Sequence, residues 1–172
     1  MKKMIGFTMV LSLLLIAGCG YRFAPEGEHI DRRIQKVYVE NVGNMTGEAN
    51  LENYLRNAFI DQFREGSRFT LVYKKELSDA YLTARLLRVG TSHVSYQSDD
   101  VASENRVTLV IEAVFKERNG NGIIWTQKSL SGREAYRVDH DPNITANNRK
   151  DALKKLCDDL AEKAYRELMS GF

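Results

Sequence analysis

The sequence predicts an α+β fold: a two-layer sandwich in which a four- to five-stranded mixed sheet carries two helices on one face. Three observations point there. Val107, Leu109, Ile111, Ala113 and Phe115 alternate with a partly polar set, the pattern of a strand with one side in a core. Two segments, 48–65 and 146–169, repeat apolar residues at intervals of three and four along one side only. Asn119, Gly120, Asn121 and Gly122 separate two strand-like runs, and Asn and Gly accept the positive φ angles of a tight hairpin.

Residues 34–42 alternate loosely, with Val37 and Val39 on one side, and make the first strand. Residues 41–47 have turn chemistry. The first helix follows, with Leu51, Leu55, Phe59 and Phe63 four apart, Tyr54 and Ala58 widening the stripe, and Gly66 as its stop. Phe69, Leu71 and Tyr73 alternate in a short second strand. Ala80, Leu82, Ala84 and Leu86 line a third, which runs on toward Val94 and Tyr96, and residues 97–105 form a polar, acidic tip. After the strand over 107–115 and its hairpin, a returning strand spans 123–138, with Gly132 expected at a bulge. Residues 139–143 turn the chain, and Asn143 or Thr145 caps the last helix. Its stripe is Leu153, Leu156, Cys157, Leu160, Ala161, Ala164 and Leu168. The order contains no internal repeat.

The amino terminus has a different character. Lys2 and Lys3 precede an apolar run over 5–16, which has the length of a signal-peptide hydrophobic region and is short of the ~20 residues that span a bilayer. Ile16, Ala17, Gly18 and Cys19 come next. This is the lipobox pattern of bacterial lipoproteins: small side chains admit a peptidase, and the Cys19 thiol accepts a diacylglycerol. The expected organisation is a signal peptide over 1–18, a lipidated tether over 19–33 and one α+β domain over 34–172. Two or three acyl chains anchor stably, since each buried CH₂ adds about 0.8 kcal/mol.

Cleavage also removes Lys2 and Lys3, so the 25 basic residues fall to 23 and equal the 23 acidic ones. A neutral chain without a basic block has no electrostatic footprint for nucleic acid. With Cys19 lipidated, Cys157 is the remaining thiol; it falls on the apolar stripe and reads as a small core hydrophobe.

No set of catalytic groups converges, and the sequence calls for no enzyme, cofactor or metal. Asp139, His140 and Asp141 are the most suggestive cluster, but adjacent residues seldom aim at one atom, and polar triplets are ordinary turn material. The glycines of 119–122 precede a strand, whereas a phosphate cradle needs a helix N-terminus behind it. The candidate contact residues are basic positions beside apolar strand faces: Arg106, Lys128 and Arg133. Aligned on a sheet, they suit an anionic lipid or the acidic wall of a partner. Trp125, beside Ile123 and Ile124, fits either an interface anchor or the core.

The pieces also occur in a familiar order. Cys19-Gly20-Tyr21-Arg22-Phe23 follows the lipobox; Val37-Tyr38-Val39-Glu40-Asn41 and the Asn44-Met45-Thr46 turn precede the first helix. Asp79-Ala80-Tyr81-Leu82 opens the third strand, Gly122-Ile123-Ile124-Trp125 returns the hairpin, and Gly132, Tyr136 and the late helix complete the set. In this the chain resembles the LPS-assembly lipoprotein family, the lipoprotein partner of the outer-membrane barrel that inserts lipopolysaccharide. The resemblance implies a non-enzymatic outer-membrane lipoprotein on the periplasmic side. It would plug a β-barrel translocon, help it assemble and bind lipopolysaccharide. Where the family carries lipid-contacting basic residues, this chain has Gln97, Ser98 and Asp99, then Ala146 and Asn147, with Arg106 and Arg149 nearby. The competing expectation is a periplasm-facing lipoprotein that binds another envelope ligand without a barrel.

Overall fold

The computed structural model describes residues 27, 29–93, 104–120 and 122–171, so the signal peptide, Cys19 and most of the 97–105 tip lie outside the described residues. The strands are β1 (Lys36–Val39), β2 (Gly43–Asn44), β3 (Thr70–Leu71), β4 (Ala80–His93), β5 (Glu104–Glu117) and β6 (Ile123–Arg137). The helices are α1 (Leu51–Glu65) and α2 (Pro142–Ser170), with a single 3₁₀ turn at Lys75–Leu77. The sheet order is β3-β1-β4-β5-β6, and β2 pairs with β4. β1, β2 and β3 pair parallel and β4, β5 and β6 antiparallel, so the sheet is mixed as expected. Both helices pack on one face.

The first strand is interrupted rather than continuous. Val39 lies opposite Leu82 and Gly43 opposite Arg85, so β1 and β2 together spend four residues where β4 spends three. The turn chemistry at 41–47 therefore hides a second short strand. Asn44 then builds the approach to α1: its Oδ1 accepts from the Thr46 N–H (2.9 Å), and its Nδ2 donates to the Glu48 carbonyl (2.8 Å) and the Glu52 carboxylate (2.7 Å). Asp79 does the same for β1, its Oδ2 accepting from the N–H groups of Lys36 (2.8 Å) and Gln35 (3.0 Å). These two bonds, Lys36 foremost, hold its carboxyl below the usual range.

The core lies between the helices and the sheet. Phe63 sits at its centre, ring centroids 5.3 Å from Tyr165, 5.8 Å from Phe69 and 6.0 Å from Phe115. Trp125 is buried in the same cluster, which settles it as core. Tyr73, expected in the second strand, is 95% exposed: the ladder ends at the Val37–Leu71 pair, although β1 itself runs on to Val39. Gly132 is not at a bulge: it pairs regularly with Leu109. A Cβ there would meet Leu156 at 2.9 Å and Leu160 at 3.4 Å, so the glycine lets α2 press onto β6.

α2 begins a turn earlier than the stripe indicates. Asp141 Oδ1 accepts from the Asn143 N–H (2.8 Å) as the cap, and Pro142 occupies the first turn, where no amide donor is missed. Thr145 serves Asp139 instead, accepting from its N–H (2.8 Å). Near the helix start Arg149 forks onto Glu48 at 2.9 and 2.5 Å, ties α2 to the approach of α1, and holds the Glu48 carboxyl below its usual range.

Cys157 is fully buried, and burial pushes its thiol up to about 12. At pH 8 almost none of it is thiolate, the species that reacts. Iodoacetamide should leave Cys157 unmodified in the folded protein and label it once urea unfolds the chain, read by peptide mass spectrometry. Labelling at equal rates in both states would mean that the α2 stripe is open.

Candidate interaction face

Among the described residues no helix lies on the sheet's second face, and two bulges decide what it presents. In β4 the helix-facing residues are Ala80, Leu82, Ala84 and Leu86. The register then shifts between Leu86 and Arg88, so Arg88 lies opposite Val110 and Val89 opposite Leu109, which is buried. Strict alternation would have aimed Arg88 into the core. The bulge turns it outward and sends Val89 in against the core. In β6 the second bulge places Lys128 and Ser129 opposite Glu112. Gln127 points to α2, where its Nε2 donates to Glu167 (3.1 Å), and beyond the bulge Leu130 and Tyr136 are the buried positions. Lys128 and Arg133 are five apart and would otherwise face opposite sides; the bulge puts both on the open face.

This face has two halves of different electrostatic character. Toward the hairpin the charges are matched: Arg85 Nε donates to Glu112 (2.7 Å), and Lys75 pairs with Glu40 while its Nζ lies over the Tyr81 ring. Lys128 borders this half. At the other end Arg88, Arg106, Arg133 and Arg137 are all exposed, and among the described residues none has an ion-pair partner. Arg106 lies opposite Ala135 and Arg133 opposite Thr108, so these two arginines are diagonal neighbours on adjacent strands. Gly90, Ser92, Thr108, Ser131 and Ala135 lie between the arginines, and their small side chains leave the guanidinium groups reachable from the sheet plane. Glu104, opposite Arg137, is the carboxylate of this half.

Of the residues singled out from sequence, the structure therefore brings Arg106 and Arg133 together. It leaves Lys128 about 15 Å along the strand, too far to share one phosphate with them. Arg88 and Arg137 belong to the cluster and were not singled out. The available sign was the change of hydrophobic phase from Leu86 to Val89, which already marks a bulge. Arg149 is not free for lipid, because Glu48 holds it. Asp139, His140 and Asp141 form a cap, Asp139 Oδ1 accepting from the Asp141 N–H (3.0 Å). Among the described residues no group of three or more His, Cys, Asp or Glu is placed to hold a metal ion. No helix among them is long and apolar enough to cross a membrane.

Comparisons agree with this architecture. The minor lipoprotein of Acinetobacter baumannii is 14% identical, with a TM-score of 0.52 over 81% of this chain and 95% of that one. Lipoprotein B of Nitrosomonas europaea is 13% identical, with a TM-score of 0.50 over 80% of this chain and 84% of that one. A Xanthomonas campestris protein is 9% identical, with a TM-score of 0.53 over 80% and 85%. At such identities the likeness is one of fold. No curated protein gave a significant sequence match. The LptE family model, described as lipopolysaccharide-assembly, matches residues 34–168, well over half of the chain. The chain belongs to this LptE lipopolysaccharide-assembly family, whose members are outer-membrane lipoproteins on the periplasmic face rather than enzymes.

Proposed function

We propose that the mature chain is anchored through a lipid on Cys19 and plugs the lumen of the outer-membrane β-barrel that inserts lipopolysaccharide, helping that barrel to assemble. The open sheet face carries this reading. One half matches its own charges and can lie against a polar barrel wall, since barrel interiors are polar. The other half presents four arginines that have no ion-pair partner among the described residues, and guanidinium forks bind phosphate oxygens in pairs. That half would meet lipopolysaccharide on its way to the outer leaflet. A domain without catalytic groups suits a role made of shape and contact.

The test places photoreactive residues at Arg106, Lys128, Arg133 and Asn119, with Lys163 on the exposed side of α2 as the control. Lys155 cannot serve, because its Nζ bridges Glu134 at 2.7 Å. The sheet positions should capture a barrel protein in extracted membranes, and Lys163 should not. Cys19→Ala should leave unprocessed precursor with no acyl mass. If every sheet position is expressed and lipidated yet captures no barrel, the plug reading fails, and a lipoprotein acting on another envelope ligand takes its place.

A further inference from the structure

A second feature lies at the opposite edge of the sheet and does not depend on that reading. β3 pairs with β1 over two residues and then departs, its last contact being the Val72 N–H to the Val37 carbonyl at 3.0 Å. Past that point the β1 edge has no strand beside it among the described residues. A cavity of about 360 Å³ opens there, between α1 and the departing chain. Ile60, Phe63, Phe69 and Leu71 make its apolar walls, Tyr73 stands at its mouth, and Arg56 of α1 lines it.

Arg56 is the unusual residue. Its Nη2 donates to the Val39 carbonyl (3.2 Å), replacing the N–H of the missing strand. Its Nε is buried and has no hydrogen-bond partner. Among the described residues no carboxylate pairs with it. Capping one carbonyl needs one neutral N–H donor. A guanidinium adds a charge and a second donor, the buried Nε, that nothing among the described residues engages, although Arg56 as a whole is only half-buried. The cavity's lining is mixed, with the polar groups of Tyr38, Arg56, Arg64, Thr70 and Tyr73 beside its apolar side chains, and a concave site of this size that combines the two suits a small amphiphilic ligand.

We propose that this cavity binds a small anionic amphiphile: a carboxylate on the Arg56 guanidinium and a short apolar or aromatic body against Ile60, Phe63, Phe69 and Leu71. Arg64 sits at the rim but is held by Asp61 at 2.5 Å, so Arg56 carries the anion preference.

The experiment titrates the full chain in lipid nanodiscs with 4-phenylbutyrate and with 4-phenylbutanol, which differ in the carboxylate. Methyl NMR shifts report at Ile60 and Leu71, with Val114 on the open face as the reference. Phenylbutyrate should shift Ile60 and Leu71 but not Val114. It should bind at least about tenfold tighter than the alcohol, the equivalent of ~1.4 kcal/mol. Arg56→Gln should remove the difference between the two ligands, and Arg56→Lys should keep part of it. Equal affinities of wild type for acid and alcohol, or shifts confined to Val114, overturn the proposal without recourse to any variant. Failure here leaves barrel capture at the open face untouched, so the two readings fail separately.

Discussion

Phe63→Ala should remove about 3–5 kcal/mol of stability, the largest loss from a single truncation in this domain. Phe63 is 1% exposed, and three other rings surround it, one from α2, one from β5 and one, Phe69, from the residue before β3. Its removal opens a void that no neighbour can fill, because Tyr165 and Phe115 are themselves fixed by rigid elements. The Tyr165 edge contact at 87° is lost with the ring. Urea denaturation followed by circular dichroism measures the effect, and Phe63→Leu should lose clearly less. A loss below about 1 kcal/mol, the typical value for an arbitrary substitution, would show that the aromatic centre is not packed as described.

Leu156→Ala should cost about 2–5 kcal/mol by the same mechanism at the other end of the core. Leu156 is 1% exposed and rests on the bare backbone of Gly132. The matched change on the next residue, Lys155→Ala, should cost far less. Lys155 reaches Glu134 from the solvent side, where water screens the pair. Comparable losses at 155 and 156 would mean that α2 presents a different face to the sheet. Leu160→Ala should behave like Leu156→Ala, since both side chains lie over the same glycine.

The elements legible in the sequence were those with one face wholly buried. The strand through Val107 and Phe115 and the stripe through Leu153 and Leu168 report a core directly. Less legible were elements set by a neighbour. β2 is two residues of turn composition, Gly43 and Asn44, made a strand by β4 beside it. The second strand stops at Leu71, where the chain turns away although β1 runs on through Tyr38 and Val39. The start of α2 read as a turn because Asp141 and Pro142 belong to turns and to helix caps alike. The contact face was half legible for a related reason. A period of two names the side of the sheet only until the first bulge. Arg106 lies on a stretch of β5 without a register shift, whereas Arg88 lies beyond one in β4, where alternation alone points it to the wrong side. The cavity at Arg56 has no local signature, because residues from α1, β1 and the chain after β3 meet there only in the fold.

The position of β1 has a consequence for how the chain must acquire its structure. β1 is made first, yet its neighbours are β3 and β4, the nearer of them more than thirty residues later. β4, β5 and β6 close as an antiparallel meander with a short turn, whereas the parallel ladder of β1 requires distant segments to meet, which is the slower event. α2, which covers much of the inner face of that meander, arrives last. During vectorial emergence from a translocation channel, α1 and β1 thus wait without partners, and the apolar side of the sheet stays bare until the final thirty residues have crossed. Until α2 is complete, that bare apolar side is the part of the chain most open to wrong contacts.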